Sequence, residues 1–181
     1  MPYDSYICLH SPPGGHNVII RTRKLKHTLF YGFAIIAIAF LLYLNFRPAK
    51  DQFQNPEVVA TTQAPKPIGP YSQAIRKGNC FFVSGQVGID PGTGNLDTTN
   101  IVTETNYAME NIRAILSSSH LKMNDIASTT IYLTDLKNFE AVNEVYAKFF
   151  GDGPFPARST VQVAALPKGA HIEISVIAVK E

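Results

Sequence analysis

From residue 72 to residue 179 the chain switches repeatedly between an apolar period of two and one of about 3.6, and this switching restricts the folds open to it. Residues 72–75 and 80–84 flank Lys77-Gly78-Asn79, a hairpin signal. Asp90-Pro91-Gly92-Thr93-Gly94 reads as a turn. Across residues 101–118, Ala108, Ile112, Ile115 and Leu116 fall on one helical stripe. Residues 126–133 are rich in Thr, Ile and Tyr and read as a strand. A second helical face of Phe139, Val142, Tyr146, Phe149 and Phe150 ends at Gly151, and strands at 158–165 and 171–179 flank Leu166-Pro167-Lys168-Gly169. Each helix has one apolar stripe and needs a partner layer. The order β-β-α-β-α-β-β therefore predicts a two-layer α+β fold, a sheet with both helices on one face.

That head, residues 67–181, accounts for one domain. Residues 28–46, TLFYGFAIIAIAFLLYLNF, carry no charge. As a helix they extend roughly 28 Å, close to the ~30 Å thickness of bilayer hydrocarbon. Arg21, Arg23, Lys24 and Lys26 precede the run, against Arg47 and Lys50 after it. The expectation is an uncleaved single-pass anchor with a cytoplasmic tail, residues 1–27, and the head extracytoplasmic. A cleaved signal peptide fits less well, since the run is long and Arg47-Pro48-Ala49-Lys50 lacks a small-residue cleavage pattern. If the N-terminal extension is not part of the protein, the head is cytoplasmic. Residues 47–66 read as a linker that reaches roughly 65 Å when extended. Cys8 and Cys80 fall on opposite sides of the expected span and form no disulfide framework.

Within the head two charged residues stand out. Arg158 opens a strand behind Pro154 and Pro156, and a guanidinium grips a carboxylate through two parallel hydrogen bonds. A surface ion pair is the alternative use. Glu173 interrupts a strand of Ile172, Ile174 and Val176, sharing its face with His171 and Ser175. A charge there is costly to bury unless paired or used. If the chain turns between two paired strands at Pro167 and Lys168, about 10 Å separates the backbones of Arg158 and Glu173, and both side chains reach one small molecule. Glu173 is then a general acid–base candidate, or else an edge-strand partner of Lys168 or Arg158. Asn143 lies one helical turn from Phe139, as a cap or a satisfied core amide.

Other function classes lack a signature. No CxxC or HExxH spacing supports a metal site, and no glycine-rich phosphate loop is present. A net charge of +2, with much of the basic excess near the N-terminus, gives the head no nucleic-acid stripe.

Four segments in order, Ile68-Gly-Pro-Tyr71-Ser-Gln-Ala74, Val83-Ser-Gly85-Gln86, Gly153-Pro-Phe-Pro-Ala-Arg158-Ser-Thr160 and His171-Ile-Glu173-Ile, resemble the RidA (YjgF) family of reactive-intermediate enamine/imine deaminases. The resemblance runs from about residue 64 to residue 181. It implies a chorismate-mutase-like fold and hydrolysis of 2-imino acids such as 2-iminopropanoate and 2-iminobutanoate to 2-oxo acids and ammonia. No cofactor is implied. It further implies a homotrimer with sites at subunit interfaces, in which Arg158 holds the substrate carboxylate and Tyr71 lines the pocket. Ser84 and Gly85 supply polar backbone and small volume, and Phe139 and Asn143 lie on the pocket-lining helix. Thr160 stands where many bacterial members carry cysteine, so a nucleophilic thiol is not available at that position. The rival reading is a non-catalytic carboxylate-binding or chaperone-like module on the same fold.

Overall fold

The computed structural model describes residues 23–45 and 55–180, and in the first stretch it describes side chains for residues 31–43. The chain divides into two compact units, Met1–Asp51 and Gln52–Glu181. In the first unit α1 (Arg23–Asn45) covers most of the expected span, while Phe46 and the tail before residue 23 lie outside the described residues. Its described apolar side chains are open to solvent, with Phe33 73 % and Ile35 67 % exposed. Among the described residues no helix is long and apolar enough to cross a membrane. The expected span is thus unsupported by the structure. The stretch with described side chains, residues 31–43, is shorter than the roughly 20 residues a span needs.

Among its described residues the second unit is a six-stranded sheet with two α-helices. Its strands are β1 (Glu57–Val59), β2 (Ala74–Lys77), β3 (Cys80–Val87), β4 (Ile126–Leu133), β5 (Ala157–Gln162) and β6 (Ile172–Val179). The helices are α2 (Ile101–Ser117) and α3 (Phe139–Lys148). Spatial order is β1-β2-β3-β6-β4-β5, antiparallel throughout except for the parallel β4–β5 pair. The two-layer α+β expectation holds at this level.

Local chemistry explains the elements. Gly78, at φ 61°, turns β2 into β3 in the left-handed region that a glycine enters without steric cost. Asn100 caps α2, its side chain accepting from Thr103 N at 2.9 Å. Asp135 accepts from Lys137 N at 2.9 Å and so opens the short turn that leads into α3. The α2 stripe and Val142 and Tyr146 of α3 close one core with Ile131, Ile172 and Ile174 of the sheet, all three 0 % exposed. Each such side chain contributes about 1.5–3 kcal/mol through burial.

Two expectations need correction. Residues 47–66 are not linker throughout, because β1 pairs with β2 and the Gln73 side chain clasps the segment after it. The Gln73 amide accepts from Thr61 N at 2.7 Å and donates to Thr61 O at 3.0 Å and Pro65 O at 2.8 Å. The last two strands do not pair either; β4 lies between them. β6 buries Ile172, Ile174, Val176 and Ala178 and is stable only with neighbours on both sides, whereas polar β5 suits an edge.

Among the described residues of the head one carboxylate, Glu104 of α2, is fully buried. It accepts from His171 N at 2.7 Å and Ile172 N at 3.3 Å and meets His171 Nδ1 at 2.9 Å, tying α2 to the start of β6. Glu104→Ala leaves those two backbone donors without their acceptor. It is expected to lower the unfolding free energy by about 2–4 kcal/mol, and Glu104→Gln by less because the amide oxygen still accepts. Urea unfolding followed by circular dichroism checks this; an unchanged midpoint for Glu104→Ala would show that the clamp is dispensable.

Candidate active site

Arg158 sits on the edge strand, and its register partner across the parallel ladder is Thr129 of β4. Thr129 is buried toward the helices, so Arg158 projects on that same side. There it meets α3. The guanidinium carbon lies 4.8 Å from the Tyr146 ring centroid and 5.9 Å from that of Phe139. Both fall within cation–π range. A cavity of about 370 Å³ opens beside it, lined by Asn143, Tyr146, Ala147, Phe155, Pro156 and Arg158. Among the described residues Arg158 has no ion-pair or hydrogen-bond partner. Its in-plane N–H donors are free for a ligand carboxylate. Thr160, two residues on, stands on the same side opposite Ile131 and is half-buried.

Glu173 lies elsewhere. It pairs in register with Tyr132 of β4 and Val87 of β3, on the face turned away from the helices. Its carboxylate rests on Gly85, where any Cβ would overlap it. Glycine is required there for close approach. The ladder between β3 and β6 shifts register between Val83 and Gln86, which places Ser84 and Gly85 in a bulge beside the carboxylate. Ser84 Oγ donates to Ser72 O at 2.7 Å and Ser84 N to Gln73 O at 3.0 Å, so the bulge is firmly held. Burial pushes the Glu173 carboxyl above the ordinary glutamate value. Tyr71 stands in the preceding loop, 45 % exposed, its hydroxyl accepting from Ile68 N at 3.2 Å.

The predicted residues therefore form two groups. Arg158, Phe139, Asn143 and Thr160 gather on the helix side at the β5 edge. Glu173, Ser84 and Gly85 gather on the opposite face near the sheet centre. Two strand spacings and three residues of register separate Arg158 from Glu173, roughly 14 Å between backbones within one chain. The expected convergence of both side chains on one ligand in a single copy does not occur, because β4 lies between the two strands and the odd register offset of three residues puts the side chains on opposite faces.

Three participants were not anticipated as site residues. Tyr146 read as a core position, but it also floors Arg158 and donates its hydroxyl to Thr129 Oγ1 at 3.0 Å. Tyr132 became a neighbour of Glu173 only through strand pairing. Glu104 lies four residues before Ala108 on the α2 stripe, and extending that period backward would have marked it as buried.

Comparisons with known proteins cover this unit. Residues 61–180 match the family model described as Endoribonuclease L-PSP. The RutC family protein of Pyrococcus horikoshii is 50% identical over 125 residues, 69% of this chain and 98% of that protein. The 2-iminobutanoate/2-iminopropanoate deaminase of Mus musculus is 44% identical over 124 residues, 68% of this chain and 91% of that protein. The crystal structure of E. coli TdcF with bound serine is similar with a TM-score of 0.67 at 38% identity, covering 69% of this chain and 99% of that one.

The raised Glu173 carboxyl has a stability signature. An acid whose folded value lies above its unfolded value favours the fold while neutral and loses that advantage as pH rises through the folded value. Glu173→Gln removes this loss. The melting temperature of the variant relative to wild type is expected to be higher at pH 8 than at pH 4. Scanning calorimetry at the two pH values checks it, and a pH-independent difference would rule out a desolvated carboxylate.

Proposed function

We propose, for a chain that belongs to the endoribonuclease L-PSP (RidA) family, that the head hydrolyses reactive 2-imino and enamine acids such as 2-iminopropanoate and 2-iminobutanoate to 2-oxo acids and ammonia. The carrying observation is the Arg158 guanidinium, backed by aromatic rings, with no partner among the described residues and its donors facing a small cavity. Relatives at 44% identity named 2-iminobutanoate/2-iminopropanoate deaminase support the same reading.

The chemistry follows from the groups. Arg158 takes the substrate carboxylate in a bidentate grip, which fixes the adjacent imine carbon. A protonated imine is already electrophilic. Glu173 accepts a proton from water as its oxygen bonds to that carbon, then returns a proton to the nitrogen. The C–N bond breaks and ammonia leaves, the hydroxyl proton passing to Glu173 as the carbonyl forms. An elevated carboxyl value suits this, because a stronger base accepts the proton more readily near neutral pH. Tyr71 and the backbone at Ser84 and Gly85 line the acid–base side, while Phe139, Asn143 and Thr160 border the carboxylate side.

The two groups point from opposite faces of one chain, so the complete site is proposed to form where one copy's Arg158 side meets the Glu173 side of another, in a homotrimer. Exposed Phe82, Ile177 and Val179, on strands β3 and β6, offer apolar area for such contact. The ribonuclease sense of the family description has little physical support, since residues 67–181 carry nine Lys and Arg against eleven Asp and Glu. A non-catalytic carboxylate binder remains the rival, and Glu173 separates the two because a binder needs no general base.

Residues 28–46 are proposed as a bilayer anchor, on the strength of their uncharged sequence, the basic residues before them and the exposure of their described apolar side chains. That reading puts the N-terminus in the cytoplasm and the head outside it. Retention of the full-length chain in membranes after a carbonate wash is the expected result. Recovery in the soluble fraction would favour a cytoplasmic head.

Turnover is tested by following 2-oxo acid release from an imine generated in situ by an amino-acid oxidase. Arg158→Ala is expected to abolish acceleration, and Arg158→Lys to restore little because it lacks the planar fork. Glu173→Gln should lower turnover by about 10²-fold or more while 2-oxo acid binding persists. A wild-type protein that binds 2-oxo acids yet does not speed hydrolysis would establish the binding-module reading instead.

A further inference from the structure

We infer that Tyr146, anchored through its hydroxyl on Thr129, is the positioning residue that seats the Arg158 guanidinium as a carboxylate fork; this deepens the deaminase reading and rests on it for the identity of the ligand. An exposed arginine has many rotamers, and a bidentate grip is effective only if few of them are occupied beforehand. Among the described residues Arg158 makes no hydrogen bond or ion pair that would select one. Among the described residues its close partners are two rings, Phe139 and Tyr146.

These rings differ. Phe139 is 39 % exposed and 5.9 Å away, whereas Tyr146 is 3 % exposed and 4.8 Å away. Tyr146 is also immobilised at both ends. Its ring packs on Phe150 with centroids 4.8 Å apart, and its hydroxyl donates to buried Thr129 at 3.0 Å. Thr129 is the register partner of Arg158 itself, so the ring and the cation are referenced to one residue of β4. Burial raises the Tyr146 phenol above its ordinary value, with the Thr129 bond and the Arg158 charge opposing, so the hydroxyl stays neutral and continues to donate. A ring meets the flat face of a guanidinium, while the N–H donors lie in its plane. Seating by Tyr146 and binding of a carboxylate therefore do not compete.

The test uses the full-length chain labelled with ¹⁵N. The Arg158 Nε–Hε resonance, identified by its loss in Arg158→Ala, is expected upfield of the other arginines because of the Tyr146 ring current. Tyr146→Phe, which keeps the ring but loses the hydroxyl anchor, should reduce that shift, and Tyr146→Leu should abolish it. Thr129→Val, which removes the anchor but keeps the volume, should reduce it, and this arm serves if Tyr146→Leu does not fold. In binding and turnover, Tyr146→Leu should weaken 2-oxobutanoate affinity and raise KM by about 3- to 30-fold, the range for a partly desolvated cation–π contact, with kcat within about 2-fold. Tyr146→Phe should stay within about 3-fold of wild type. Binding of uncharged 2-oxobutanamide should not respond, and in an Arg158→Ala background Tyr146→Leu should add no further loss. An Arg158 resonance insensitive to Tyr146→Leu and Thr129→Val, or equal losses with and without Arg158, would overturn the inference. A ring-current shift present in a wild-type protein that does not bind 2-oxobutanoate would instead overturn the deaminase reading and leave the seating of Arg158 intact.

Discussion

β6 presents Ile172, Ile174, Val176 and Ala178 to the helices and, within the same eight residues, Glu173 and Ser175 to the opposite face. Its antiparallel register with β4 sets both faces at once. A slip of one residue would expose four apolar side chains and drive Glu173 into the core. That cost is what makes the position of the carboxylate reliable. Glu104 reinforces it by holding the backbone of His171 and Ile172 from α2, at the end of the strand where Glu173 lies. The buried acid is thus a structural counterpart to the half-buried one, which is left with its proton affinity raised rather than satisfied.

The same central strands separate Arg158 from Glu173. With β4 between β5 and β6, the cation belongs to the helix side of an edge and the acid to the middle of the bare face. On the proposed reading this division is useful. A carboxylate grip and a proton-transfer group placed together in one chain would pair with each other, and the cation would lower the acid's proton affinity. Within one chain, set on opposite faces, Arg158 keeps its donors and Glu173 its raised proton affinity. The aromatic backing of Arg158 serves the same end, since a ring orients a cation without occupying its hydrogen-bonding edge.

Particular residues show why some features were legible and others were not. The alternation in residues 171–179 and the stripes on both helices announced the layers, because burial on one face writes a period into the chain. Glu104 went unnoticed as a charged residue near a helix start, a common surface location, although its spacing matched the stripe. β1 was hidden because three residues give too short a run for periodicity, and its partner β2 lies some fifteen residues further along the chain, from Val59 to Ala74. Tyr146 was correctly placed on the buried face of α3, but its contact with Arg158 needed the parallel placement of β5.

The sequence by itself determined the α+β layering, the identities of Arg158 and Glu173 as the unusual charges, and the need for a small residue at Gly85's stretch through the family resemblance. The layering and the unusual charges are legible locally, since they follow from residue type and from neighbours within a few positions. Only the tertiary structure decided which strands lie side by side, and hence that the two charges face opposite ways. Adjacency in a sheet depends on which strands must be buried on both flanks, and that is a competition among all six strands rather than a property of any one.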